Sequence, residues 1–170
     1  MVTKRFSELT RGTIFIALLV FVMLAGCLPS PYYQRVDTVP GAAWDYSFKP
    51  VFHVEVTDTN AVYKPYFIIR HTQGYPFNNV WMLVSVKGPG DKAAHRERVN
   101  IVLAEPSGKW MGRGMGEVYE QRLSMKLEDT AFLRRKGVWE ITLEQNMRVN
   151  PLPEVLSTGI RVEKAPPSAR

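Results

Sequence analysis

The chain has 170 residues, a net charge of +6 and a single cysteine, with 45% of its residues hydrophobic. One cysteine leaves no partner for a disulfide within the chain, and the basic surplus is too small and scattered for a nucleic-acid footprint, which would cluster Lys and Arg with aromatic residues. The length suits one domain with a real core, stabilised by packing alone.

The N-terminus carries a basic stretch (Lys4, Arg5, Arg11) and then an uninterrupted apolar run from Ile14 to Ala25. That run has 12 residues, the size of a signal-peptide core and well short of the roughly 20 that span a bilayer. It closes on Leu24-Ala25-Gly26-Cys27. Small residues let an extended backbone enter a peptidase cleft, and the cysteine offers the thiolate that a diacylglyceryl group alkylates. An ordinary secretory signal or an inner-membrane anchor requires neither the small pair nor the cysteine. These features predict a lipoprotein signal peptide over residues 1–26 and a mature chain of 144 residues that starts at a fatty-acylated Cys27. Losing Lys4, Arg5, Arg11 and Glu8 leaves 19 basic against 15 acidic residues, a net charge of +4. Leu28 follows the cysteine, with neither an aspartate nor an acidic run, so the patterns for inner-membrane retention and surface export are both missing. The expected place is the outer membrane, facing the periplasm.

Residues 27–43 combine Pro29, Pro31, Pro40 and Gly41 without periodicity. Proline fixes φ and removes donors, so this stretch reads as an extended tether that spans up to roughly 50 Å. From 44 to 164 the period is two almost everywhere. Phe52, Val54 and Val56 alternate with His53 and Glu55; Val99, Ile101 and Leu103 form a second such row, and Leu123, Met125 and Leu127 a third. Trp139, Ile141 and Leu143 alternate with Glu140, Thr142 and Glu144, and Ile160 and Val162 with Arg161 and Glu163. Tyr66–Ile69 and Val80–Val86 are apolar on both faces, as central strands are. Turn residues punctuate these runs, at Asp58-Thr59-Asn60, Gly74-Tyr75-Pro76, Gly88-Pro89-Gly90, Pro106-Ser107-Gly108 and Lys136-Gly137. About seven short strands at such spacing predict a single antiparallel β-sandwich. Trp139, Ile141 and Leu143 are expected to point inward, opposed by Val80, Met82 and Val84. Asp129–Arg135 reads as a short helix or loop, and 165–170 as a frayed tail.

The chemistry is sparse. His53, His71 and His95 lie in different segments with no second ligand at metal spacing, and read as outward strand positions and a loop. No nucleophile elbow is present, and no Ser–His–Asp set or paired carboxylates stand out, so no catalytic, cofactor or metal residue is assigned. The densest unusual segment is Glu105–Gly116. Its Gly108-Lys109 is followed by Trp110 rather than Ser or Thr, so it is no phosphate loop. One reading is a glycine-bearing loop with Trp110 and Met111 as a plug over the end of the sandwich. The other is a partner-binding loop that presents Lys109, Trp110 and Arg113, since Trp, Met and Arg are enriched in interface cores. Both can hold.

Several stretches carry a resemblance. Tyr63-Lys64-Pro65-Tyr66-Phe67-Ile68-Ile69-Arg70 with Tyr75-Pro76-Phe77-Asn78-Asn79-Val80 resembles the central pattern of GldH, the gliding-motility lipoprotein family of the Bacteroidota. Glu105–Gly112 is similar to that family's DPDGKWLG segment, Gln145-Asn146-Met147-Arg148 to its Q-x-MR, and Thr158–Lys164 to its closing VGFRIEK. Glu105 and Ser107 replace two aspartates of the family pattern, which removes a pair of short carboxylates from the loop. The resemblance implies a non-enzymatic accessory lipoprotein of the gliding and type IX secretion apparatus. Its implied neighbours are the membrane, reached through Cys27, and envelope proteins of the GldJ, GldK and GldN type. The residues alone also allow a glycan- or cell-wall-binding module that uses Trp110, Trp81 or Tyr75 as a stacking platform.

Overall fold

The computed structural model describes residues 31–127 and 132–165. Residues 1–30, with the expected signal peptide and the Leu24–Cys27 box, and 166–170 lie outside the described residues, as do 128–131, which include the start of the helix or loop expected at Asp129–Arg135; Phe132–Arg135 forms turns and bends. The architecture is all-β. Two antiparallel sheets face each other, with a two-stranded ribbon at one end. The strands are β1 (Tyr33–Thr38), β2 (Ala43–Trp44), β3 (Val51–Val56), β4 (Val62–Thr72), β5 (Asn79–Lys87), β6 (His95–Val102), β7 (Arg113–Met115), β8 (Val118–Ser124), β9 (Gly137–Gln145), β10 (Leu152–Pro153) and β11 (Val155–Ala165). One sheet has the order β1-β11-β4-β8-β7, the other β3-β9-β5-β6, and β10 pairs β2.

The expected tether is corrected from Tyr33 onward, while its residues 27–30 lie outside the described residues. Tyr33–Thr38 is an edge strand that pairs β11 from Tyr33↔Val162 to Thr38↔Ser157. Pro40–Ala42 makes a 3₁₀ turn, and the stretch ends in β2, where Trp44 is fully buried. Side chains at the start of the folded chain also reach the free edge of β3. Tyr32 donates its hydroxyl to the Glu55 carbonyl at 2.6 Å and Arg35 reaches the Val51 carbonyl at 3.3 Å. Between them the His53 N–H hydrogen-bonds the Tyr33 hydroxyl, although burial still raises that hydroxyl's pKa above its ordinary value. Alternate residues of a strand present their backbone groups to the same side, so these three contacts cover one edge that would otherwise be open to pairing. The tail is corrected at one residue as well, because Ala165 ends β11 opposite Val62.

The core lies between the sheets. Trp139, Ile141 and Leu143 are buried, as their alternation predicts. Val80, Met82 and Val84 do not oppose them, however: β5 and β9 are hydrogen-bonded neighbours, with Val84 beside Leu143, so both sets line the same face. The facing layer comes from the other sheet, with Phe67 and Ile69 of β4 and Ile160 and Val162 of β11. Ile68 is buried on the outer side of β4, in agreement with a strand covered on both faces. The third apolar row, Leu123, Met125 and Leu127, packs on the core, but the strand stops within it: β8 ends at Ser124, and its inward row is Tyr119, Gln121 and Leu123.

Candidate functional site

The Glu105–Gly116 segment folds as two successive hairpins. In the first, Glu105 N–H donates to the Lys109 carbonyl and Gly108 N–H to the Glu105 carbonyl, both at 2.9 Å, and Met111 N–H returns to Leu103 at 2.9 Å. Gly108 holds φ +83°, which a glycine adopts without Cβ strain. Gly112 has φ +94°, and a Cβ there would lie 2.5 Å from the Glu120 carbonyl oxygen, so only glycine lets β7 approach β8. The second hairpin is β7–β8 itself, with Arg113 beside Glu120.

The first hairpin turns Trp110 inward. Its ring centroid is 4.5 Å from that of His71, edge-on, 6.0 Å from Tyr119 and 6.3 Å from Tyr75. His71 is fully buried, which corrects the expectation of an exposed histidine; His53 and His95 are exposed, on β3 and at the start of β6. The His71 Nδ1 lies 2.8 Å from the Thr72 carbonyl, and its Nε2 faces Gln121 Nε2 at 3.4 Å. A carbonyl can only accept, so Nδ1 carries the proton and Nε2 accepts, a neutral imidazole. Burial holds the His71 pKa below its ordinary value and pushes the Tyr75 hydroxyl above its own. Gln121 donates to the Leu103 carbonyl at 2.6 Å, which fastens β8 to the root of the hairpin. Trp110 is thus half-buried against the core, while Lys109 and Arg113 are exposed on different hairpins. The three residues are not presented as one surface.

Beside Arg113 lies an open notch of about 270 Å³ lined by Gly112, Arg113, Glu120 and Arg122. Glu120 is clamped by Arg70 Nε at 2.6 Å and Arg122 Nε at 3.0 Å. Partial burial pushes its pKa up, but the two guanidinium hydrogen bonds outweigh that and hold the carboxyl below its usual range. The notch therefore carries one carboxylate among basic groups.

The aromatic platforms considered for glycan stacking fare differently. Tyr75 is buried and donates its hydroxyl to the Asn79 carbonyl at 3.0 Å. Trp81 is half-buried on the outer face of β5, with the Arg98 guanidinium carbon 4.2 Å from its ring centroid. Among the described residues no three His, Cys, Asp or Glu side chains come together as a metal site, and no helix is long and apolar enough to cross a membrane.

The GldH lipoprotein family model matches residues 31–162, the whole described body but for the end of β11. The chain belongs to the GldH lipoprotein family. A gliding motility lipoprotein GldH from Flavobacterium johnsoniae is 27% identical over 156 residues, which is 88% of this chain and 94% of that one. A GldH homolog from Christiangramia forsetii is 24% identical over 160 residues, 90% of this chain and 96% of its own. No solved structure matches. Within this GldH-family chain the motif residues acquire structural roles. Gln145 is buried and donates to the Trp44 and Val149 carbonyls, each at 3.3 Å, and Met147 N–H returns to Gln145 Oε1 at 2.9 Å. Gly159 lies in β11 opposite Val36 of β1, where a Cβ would run into the β1 backbone. The sequence missed the Tyr75–Tyr119–Gln121 cage around His71; its one trace is Gln121 on an inward position of an otherwise aromatic and aliphatic row.

Proposed function

We propose that this chain is an accessory lipoprotein of the cell envelope that is anchored through Cys27 and supports the gliding-motility and type IX secretion machinery by protein contacts. The observation that carries this reading is family membership over residues 31–162, together with two relatives named as gliding motility lipoproteins or their homologues. The membrane is the outer one, facing the periplasm, since Leu28 follows the acylated cysteine without a retention or export signal. The protein acts as a partner rather than a catalyst. Its one buried imidazole is kept neutral by burial, against the pull of the Thr72 carbonyl, and is packed among aromatic rings, an arrangement that stiffens the hairpin end. Lys109 and Arg113 are the exposed contacts, one on each hairpin, and Trp110 packs the first hairpin onto the core.

The anchor is tested by Cys27→Ala, which should move the protein from the membrane to the soluble fraction and abolish labelling by an alkyne fatty acid; label retained on that variant refutes the anchor. The role is tested by deleting the gene and scoring colony spreading and the secreted protein profile. Loss of spreading with normal secretion confines the role to motility, and no change in either refutes it.

A further inference from the structure

The outer face of the β5–β6 sheet carries a second open groove, of about 450 Å³, lined by Phe77, Asn79, Trp81, Arg98, Asn146, Met147, Arg148 and Val149. It differs from the Arg113 notch in one respect: it contains no carboxylate. Arg35, Arg70, Arg96, Arg122, Arg135 and Arg161 each hold an acidic side chain. Arg98 has only the Trp81 ring beneath it, and Arg148 has no partner among the described residues. Two arginines thus line one groove whose lining holds no carboxylate.

The wall that presents Arg148 is built to stay in place. The 146–150 loop is fastened from inside by Gln145 and from outside by Tyr46, whose hydroxyl donates to the Met147 carbonyl at 2.7 Å and whose N–H donates to Asn150 Oδ1 at 2.8 Å. Asn150 Nδ2 donates in turn to Asp45 at 3.0 Å. Asn146 N–H reaches the Trp81 carbonyl at 2.8 Å, and Trp81 N–H meets the Met147 sulfur at 3.2 Å, which locks the loop against β5. A loop ordered before binding loses little conformational entropy when a ligand arrives. The groove also holds apolar surface, with Val149 42% exposed beside the half-buried Phe77 and Met147.

We propose that this groove seats an acidic, extended segment of a partner protein, with a carboxylate held between Arg98 and Arg148 and a neighbouring apolar side chain laid against Phe77, Met147 and Val149. The proposal rests on the reading that the chain works through protein contacts. A stacked guanidinium keeps its N–H edges free for a carboxylate while its plane covers the indole, so Arg98 favours an acid and takes the ring face that a sugar would need. Trp, Met and Arg beside exposed aliphatic surface are the composition of a protein interface core.

The test is photocrosslinking in living cells, with a benzophenone amino acid placed at Val149 and, separately, at Ser107 on the first hairpin of the full-length lipidated protein. The expected result is a protein adduct at Val149 whose crosslinked peptide is rich in Asp or Glu. Its yield should fall about tenfold or more in Arg98→Glu/Arg148→Glu, as disruption of a close interfacial charge pair predicts, and reversing the partner's acids to Lys should restore it. Arg98→Gln/Arg148→Gln, with near-UV circular dichroism unchanged, controls for folding and should lose yield in the same direction. An adduct insensitive to charge, a partner peptide without acids, a polysaccharide or lipid adduct, or no adduct at Val149 while Ser107 captures protein would each overturn the proposal. No protein adduct at either position would overturn the contact-based reading itself.

Discussion

Gly159→Ala isolates the seating of β1 on β11. In most strands this change stabilises by about 0.5–1 kcal/mol, because glycine loses the most backbone freedom on folding. Here a Cβ would lie 2.3 Å from the Arg35 carbonyl oxygen and 2.8 Å from the Val36 Cα. Both neighbours are backbone, so no side chain can swing away and β1 itself must move by the order of an ångström. That displacement costs about 1–3 kcal/mol of overpacking. Two ladder hydrogen bonds beside Val36 weaken with it, at about 1 kcal/mol each. Allowing for the entropic gain, the variant should be less stable by about 2–4 kcal/mol. Urea unfolding followed by tryptophan fluorescence measures the change, and hydrogen exchange locates it: amides of residues 33–38 should lose protection before those of β9. A variant as stable as the parent, or more so, with β1 still protected, would show that the two strands do not approach this closely.

Three further outcomes follow from the packing. Trp110→Ala removes a half-buried indole from the His71 cage and should cost about 2 kcal/mol, half of a fully buried Trp, which lowers Tm by roughly 6–10 °C; Lys109→Ala and Arg113→Ala should leave Tm within a degree or two. Trp139→Ala should cost about 3–5 kcal/mol and Glu140→Ala less than about half a kcal/mol, read by the same unfolding curves. Acid should destabilise the domain as pH falls through about 6.5, because the unfolded His71 takes up a proton there that the folded one, with its lowered pKa, refuses. His71→Phe should flatten that slope between pH 7 and 5, a window above the range in which the depressed carboxyls of Glu120, Asp45 and Asp91 are lost.

Strands that bury one face were legible because side-chain alternation is a local property: β9 writes Trp139, Ile141 and Leu143 against Glu140, Thr142 and Glu144. Their neighbours were not, since pairing is a contact between distant segments; Val84 was placed opposite Leu143 rather than beside it. β1 was hidden by its composition. Its inward positions are Tyr33, Arg35 and Asp37, and Arg35 makes an ion pair with Asp37 at 2.9 Å at the rim of the sandwich instead of filling it. β8 was shifted for a related reason, because its inward Gln121 is polar and interrupts the apolar row. The candidate site was half legible. The glycines and Trp110 marked the hairpin, but the orientation of Trp110 depends on His71, Tyr75 and Tyr119 from three other places in the chain.

The early start of β1 bears on the lipid anchor proposed at Cys27. Tyr33 stands six residues beyond Cys27, and six residues at full extension reach about 20 Å. A leash of about 50 Å would let the body search a volume roughly fifteen times larger, since volume scales as the cube of reach, and local concentration would be diluted accordingly. Under the proposed anchoring, the shorter stub would moor the body rather than leash it. Within the body, β1 begins beside Val162, at the opposite end of β11 from Val155 and His71. The described chain thus starts at one end of the sandwich, and the Trp110 hairpin crowns the other. With Cys27 acylated as proposed, the stub and the body together would set how far from the bilayer a partner can engage that crown.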